Sequence, residues 1–312
     1  MLREAGCTVE EDVRLSRLCS FRIGGPARLL VSARSEKELA DAVRTAREAD
    51  VPCFVLGRGS NVLFADGGFN GLIVTLDGDF KDFVIERDSA VVHSGAAVPI
   101  AGLARKAAEA GLAGLEFGAG IPGSLGGALA MNAGAYGGQA SDVTREVRCF
   151  DPESGQYLNL QGDELDFGYR ESAFRKRNLV VVSCTLQLTQ ENPETLRARI
   201  ADILDRRRKN QPLTCPSAGS VFKNPAGVPN GWSAGRLIEE AGAKGWRQGG
   251  AMVSEKHANF IVNTGGATAD DVVALIERIR KRVLEQFGVW LVPEVRILDE
   301  NGGPRVAEAS PG

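Results

Sequence analysis

Two glycine-rich stretches are where residue type and spacing first suggest chemistry in this chain. LGRGSNVLF at 56–64 sets Gly57 and Gly59 in a short turn, followed by the donors Ser60 and Asn61. Glycines let a backbone approach a phosphate closely, and successive N–H groups form an anion-binding nest. This is not a Rossmann loop. Val62 stands where the third glycine of G-x-G-x-x-G belongs, and Val-Leu-Phe favours a strand where a helix should open. Taken alone, the loop reads equally well as a plain β-turn. The second stretch, GAGIPGSLGGALAMNAGAYGG at 118–138, has eight glycines and no charge. Ordering that many glycines costs much entropy. A flexible linker would be rich in serine and polar residues, whereas Ile121, Leu125, Leu129, Met131 and Tyr136 want burial. A buried glycine-rich tract points to backbone packed around a flat or extended ligand.

The rest of the composition narrows the classes. Lys plus Arg number 37 against 40 Asp plus Glu, a net charge of −3, which argues for neither nucleic acid nor an anionic membrane surface. Two histidines, His93 and His257, make a histidine metal site a poor reading. The six cysteines are scattered without a CxxC pair, as in a reduced, cytoplasmic protein. MLREAGCTVEEDVRL lacks the apolar core of a secretory signal, and no apolar run reaches membrane-spanning length. At 312 residues the chain should hold two or three domains.

The elements that must position the glycines mix helix and strand throughout. Ser35 and Glu38 have capping-box spacing ahead of Leu39, Ala42, Val43 and Ala46. Strands are expected at 51–56, 72–76, 89–95, 146–150, 157–160, 179–189, 257–263 and 290–299. PIAGLARKAAEAG at 99–111 reads as a helix stopped by Gly111, and Asn192-Pro193 starts another. Thr268 and Asp271 cap a long amphipathic helix. QPLTCPSAG at 211–219 breaks the pattern and marks a domain boundary.

Several segments together resemble the UDP-N-acetylenolpyruvoylglucosamine reductase family. They are SFRIGGPA at 20–27, 56–74, 120–138, GYRESAFRK at 168–176, PSAGSVFKNP at 216–225, GGAMVSEKHANFIVN at 249–263 and PEVRIL at 293–298. They run in order over the chain to about residue 298. The resemblance implies an α+β protein: a vanillyl-alcohol-oxidase-type FAD-binding fold of two subdomains plus a C-terminal α+β substrate-binding domain. The expected boundaries are 1–76 and 77–212 for the flavin subdomains, 213–299 for the substrate domain, and a disordered tail at 300–312. Some members carry an extra substrate-covering loop. Here 49 residues without a tyrosine separate Arg170 from Ser220, so the chain resembles the shorter class.

The resemblance implies NADPH-dependent, FAD-mediated reduction of an enolpyruvyl ether on a UDP-sugar. Nothing in the sequence demands an oligomer, so a monomer is expected, and the charge balance argues for no nucleic-acid or membrane partner. Ser220 would donate a proton to C2, Arg170 would grip the substrate carboxylate, and Glu294 would polarise substrate or handle protons. Lys223, Asn224 and His257 would bind substrate. Gly57, Gly59, Ser60 and Asn61 would hold the FAD pyrophosphate. Gly120, Ile121, Gly123, Ser124, Gly127 and Ala133 would lie near its ring or ribityl chain. Without the resemblance, Ser220 is a turn serine, Arg170 a surface arginine and His257 a packed strand histidine. Two rivals are a flavin oxidase or dehydrogenase of the same fold acting on a sugar or alcohol, and a non-catalytic UDP-sugar-binding protein.

Overall fold

The structure is a computed structural model and describes residues 2, 7–228 and 231–306. The chain divides into two compact units. One comprises the segment to Glu10, Leu29–Arg58 and Leu72–Arg207. The other comprises Glu11–Arg28, Gly59–Gly71 and the chain from Arg208.

The first unit has two hydrophobic cores. Helix α1 (Glu36–Glu48) starts where Ser35 accepts the N–H of Glu38 at 3.3 Å. The Glu38 carboxylate takes the N–H of Arg34, at 2.8 Å, so only half of the expected capping box forms. The stripe Leu39, Ala42, Val43 and Ala46 is buried with Val31, Ala33, Leu72 and Val74. These come from a four-stranded sheet ordered Val9–Arg14, Pro26–Ala33, Phe69–Leu76, Cys53–Leu56. The last two strands run parallel. The second core lies on a five-stranded antiparallel sheet ordered Gln156–Gln161, Thr144–Asp151, Val180–Gln187, Val91–Gly95, Phe83–Glu86. Helices α2 (Ile100–Glu109) and α3 (Leu125–Ala130) bury Leu103, Ala104, Leu125 and Leu129 in this core, beside Val92, Cys149 and Cys184. The short α4 (Ala173–Lys176) and the long α5 (Pro193–Asn210) complete the unit's helices. Asn192 accepts the N–H of Glu194 at 2.8 Å at the head of α5.

One burial expectation fails here. Tyr136 is exposed, with a left-handed φ of 53°. Its place in the Ala-Tyr-Gly-Gly turn aims the ring outward, so the glycine-rich tract buries Leu125 and Leu129 but not its tyrosine.

The second unit is an α+β arrangement. Its antiparallel sheet runs Arg247–Gln248, Ala251–Val253, Ile261–Asn263. Helices α6 (Ala234–Glu240) and α7 (Ala269–Phe287) bury Leu237, Ile238, Leu275, Ile276, Ile279 and Val283. Arg296–Leu298 pairs in parallel with Val62–Phe64, the strand expected after the GRGSN loop. Two expected strands are shorter than read. At 257–263 the first residues turn instead: His257 Nδ1 accepts the N–H of Asn259, and the His257 carbonyl accepts that of Phe260. At 290–299, Pro293 has no N–H for a ladder, so only Arg296–Leu298 is strand.

The expected disordered tail is also corrected. Val306 is buried, the N–H of Arg305 donates to the Ile297 carbonyl at 2.9 Å, and Pro304 bridges Leu298. Residues 307–312 of that expectation lie outside the described residues.

Helix α7 has the predicted capping box, Thr268 and Asp271 exchanging bonds of 3.1 and 3.0 Å. A second cap comes from far away in sequence: the Asp66 carboxylate accepts the N–H groups of Ala269 and Asp270 at 2.7 and 3.2 Å. Asp66→Ala removes both acceptors and should cost about 1–2 kcal/mol. Urea unfolding should show a lower midpoint for Asp66→Ala than for Asp66→Asn, whose amide oxygen still accepts. Equal midpoints would remove Asp66 from the cap.

Candidate active site

In the first unit the two glycine-rich stretches meet. A Cβ at Gly57 would lie 2.7 Å from Ser124 Oγ, so a side chain there would turn that hydroxyl from its place. Ser124 caps α3, its Oγ accepting the Gly127 N–H at 3.4 Å. The Gly123 carbonyl accepts the N–H of Ile100 at 3.2 Å, anchoring the Ile121–Ser124 bend to α2. Gly120 packs under Arg207, whose Cδ would lie 3.0 Å from an added Cβ, and burial lowers the pKa of that guanidinium. Gly127 is exposed and Ala133 half-buried.

The segment carrying Arg170 is fastened to the same tract. Arg170 has φ 59°, a left-handed backbone that a bulky residue rarely adopts. Its Nη2 donates to the Gly134 carbonyl at 3.0 Å and its Nη1 to that of Asn132 at 3.5 Å. Its guanidinium lies 5.1 Å from the ring centre of Tyr169. Two neighbours hold the segment. Buried Asn132 donates to the Gly168 carbonyl at 3.0 Å, and Ser172 Oγ to that of Ala130 at 2.7 Å. The sequence reading missed both. Asparagine's tolerance of left-handed backbone was the available signal for Asn132, which has φ 38°. From Arg170 to Ser220 the chain runs through α4, strands and α5 to the 211–219 segment, in keeping with the shorter class.

The second unit gathers the remaining candidates. The carbonyl of Val221, next to Ser220, accepts the N–H of Glu294 at 2.7 Å, and the Lys223 N–H donates to Val292 at 2.9 Å. Phe222 bridges Pro293. Ser220 and Glu294 therefore stand on adjoining backbone, each half-buried. Asn61 Nδ2 donates to the Glu294 carbonyl at 3.1 Å, so one amide hydrogen of this expected pyrophosphate ligand holds the glutamate instead. Gly59 is buried with φ 61°, and a Cβ there would collide with the Leu18 carbonyl. Its own carbonyl accepts the Ser20 N–H at 3.0 Å, while Ser20 Oγ donates to the Ser217 carbonyl at 2.7 Å. The SFRIGGPA segment thus ties the GRGSN turn to the segment bearing Ser220.

Asn224 Oδ1 accepts the N–H of Ala234 at 3.0 Å at the start of α6. His257 has a lowered pKa, mainly through burial and then through Lys244, which favours the neutral imidazole. With Nδ1 accepting from Asn259, its hydrogen belongs on Nε2.

The residues present fit a flavin dinucleotide. Among the described residues, no protein acceptor takes the N–H groups of 57–61, which leaves successive backbone donors for an anion. Gly57 is exposed above Ser124, so a flat group can approach main chain directly.

Comparison with known proteins agrees with this geometry. Residues 27–161 match a family described as an FAD binding domain, and residues 211–298 match the UDP-N-acetylenolpyruvoylglucosamine reductase C-terminal domain. The chain is 47% identical over 289 residues to the UDP-N-acetylenolpyruvoylglucosamine reductase of Heliobacterium modesticaldum, covering 93% of this chain and 90% of that one. It is 41% identical to that of Clostridioides difficile, covering 94% of each. The crystal structure of the Thermus caldophilus UDP-N-acetylenolpyruvylglucosamine reductase superposes with a TM-score of 0.78 at 38% identity, over 93% of this chain and 99% of that one. An FAD-binding domain match followed by the family's own C-terminal domain, in a chain that mixes helix and strand, is the architecture observed. A flavin-binding match alone would also suit an oxidase, but the C-terminal match and the end-to-end relatives do not. This chain belongs to the UDP-N-acetylenolpyruvoylglucosamine reductase family.

Proposed function

We propose that this protein reduces the enolpyruvyl double bond of UDP-N-acetylglucosamine enolpyruvate to the lactyl ether of UDP-N-acetylmuramate, a peptidoglycan precursor, with NADPH as reductant. The observation that carries the reading is the bond from the Glu294 N–H to the Val221 carbonyl, which sets a carboxylate and the Ser220 hydroxyl on adjoining backbone within a family-length match.

FAD, when bound, would supply the two-electron hydride chemistry that links NADPH to the enolpyruvyl double bond. The 57–61 turn and the 120–133 tract hold the cofactor through backbone N–H groups and small residues. Arg170 pairs with the substrate carboxylate, and its planar fork draws onto the carboxylate oxygens the negative charge that builds as C3 gains hydride. Ser220 gives its hydroxyl proton to C2. The C2–H bond forms as the O–H bond breaks, and the serine oxygen takes a proton back from the medium. Glu294 polarises the substrate or handles protons beside Ser220. Lys223, Asn224 and neutral His257 bind the nucleotide sugar.

The reading extends to a monomer in the cytoplasm whose partners are small molecules. It also divides the flavin-binding part at residues 76 and 77, although the core around α1 draws Phe80, Phe150 and Val182 from beyond that point. Among the described residues, no helix is long and apolar enough to cross a membrane.

The purified protein should be yellow, or become so with added FAD. NADPH should bleach it without air, and the enolpyruvyl nucleotide should restore the colour. A colourless protein that takes up no FAD would overturn the reading. Bleaching by an alcohol or sugar, with rapid reoxidation by oxygen, would make it an oxidase.

A further inference from the structure

Asn259 has no part in the proposed chemistry, yet it is 4% exposed and its side-chain amide bonds both backbone groups of one residue. Its Oδ1 accepts the Phe222 N–H at 2.9 Å, and its Nδ2 donates to the Phe222 carbonyl at 2.9 Å. Its own carbonyl accepts the Val221 N–H at 2.8 Å. One asparagine thus pairs with Phe222 on one side much as a neighbouring strand would. On the other side, Val221 and Lys223 bond to Glu294 and Val292. The short run Ser220–Lys223 is clamped from both sides, although neither clamp is regular sheet.

We propose that Asn259 is a positioning residue that sets the place of Ser220 against Glu294; the inference rests on the function proposed above. Backbone bonds two residues from Ser220 control where its hydroxyl lies, and displacement of about 1 Å at a reacting group can cost about a hundredfold in rate. A polar side chain is needed because Phe222 is buried at the site, and each of its backbone groups left unpaired there is penalised. Asparagine offers a donor and an acceptor to one residue at once, whatever the pH. Asn259 also donates its N–H to His257, so the same turn sets the neutral histidine's orientation.

The test uses the flavin-loaded, full-length protein and follows the two half-reactions separately. Asn259→Leu keeps the branch at Cγ and removes both bonds. Its flavin content and its reduction by NADPH should stay within about twofold of the unsubstituted protein, while reoxidation by the enolpyruvyl nucleotide should fall about ten- to a hundredfold. Asn259→Asp supplies a second readout and decides the matter if the leucine variant does not fold. Its carboxylate faces the Phe222 carbonyl without a proton to give, and burial raises its pKa. Once protonated it donates to that carbonyl and accepts from the Phe222 N–H, so both bonds return. Its reoxidation rate relative to the unsubstituted protein should therefore climb as pH falls. A merely structural residue would depress both half-reactions together. That result, reoxidation within twofold in the leucine variant, or a ratio flat with pH in the aspartate variant would overturn the proposal. Failure of NADPH to reduce the unsubstituted protein would overturn the function itself, and is seen separately.

Discussion

Replacing Ser220 by alanine should leave the NADPH half-reaction intact and slow reoxidation by the enolpyruvyl nucleotide by about 10²–10⁴-fold, the usual worth of a positioned acid. The prediction is sharp because the serine side chain is not what holds its segment. Val221, Phe222 and Lys223 carry the backbone bonds to Asn259, Glu294 and Val292, and alanine leaves all of them in place. Loss of the hydroxyl then reads as loss of a proton donor, not as loss of shape. Stopped-flow absorbance of the flavin after anaerobic mixing measures each half. Equal loss in both halves would take the C2 proton away from Ser220.

Arg170→Lys should be nearly as damaging, lowering kcat/KM for the enolpyruvyl nucleotide by about 10–10²-fold. That is the scale of one charged hydrogen bond, about 1.5–3 kcal/mol. Lysine keeps the charge but not the fork. Arginine at this position bonds two carbonyls of the glycine-rich tract, Gly134 and Asn132, and stacks on Tyr169. Those contacts set the plane in which it meets a carboxylate, and a rotating ammonium reproduces neither the plane nor the paired donors. KM should rise along with the fall in kcat, because the carboxylate is gripped before the reaction as well as during it. Reduction by NADPH should be unaffected. Near-normal steady-state turnover in the lysine variant would remove Arg170 from the reacting group.

These predictions concern residues that spacing alone did not single out. Ser220 is one serine among many until the neighbouring segments are considered together, and Arg170 is one of several arginines. The glycine-rich stretches were different. Eight glycines in an uncharged tract, and a Gly-x-Gly turn followed by Val-Leu-Phe, carry their meaning locally, because glycine's entropy cost and a strand-forming run are properties of a few residues. The Thr268–Asp271 cap and the Asn192-Pro193 helix start were legible for the same reason.

What sequence determined by itself was the periodic and the local: α1, α2, α5 and α7, the strand after GRGSN, the break at 211–219 and the ordered set of family segments. Tertiary structure decided who holds whom. Asp66 caps a helix 203 residues away, Asn61 turns an amide hydrogen to Glu294 at a separation of 233, and Asn259 clamps Phe222 across 37. A side-chain amide or carboxylate in a loop has the same chemistry wherever it lies, so only the folded chain shows which buried backbone group it satisfies. The shortened strands at 257–263 and 290–299 follow the same logic. Their apolar residues suggested ladders, but a turn at His257 and the missing N–H of Pro293 put the backbone to other uses, and one of those is holding Ser220 beside Glu294.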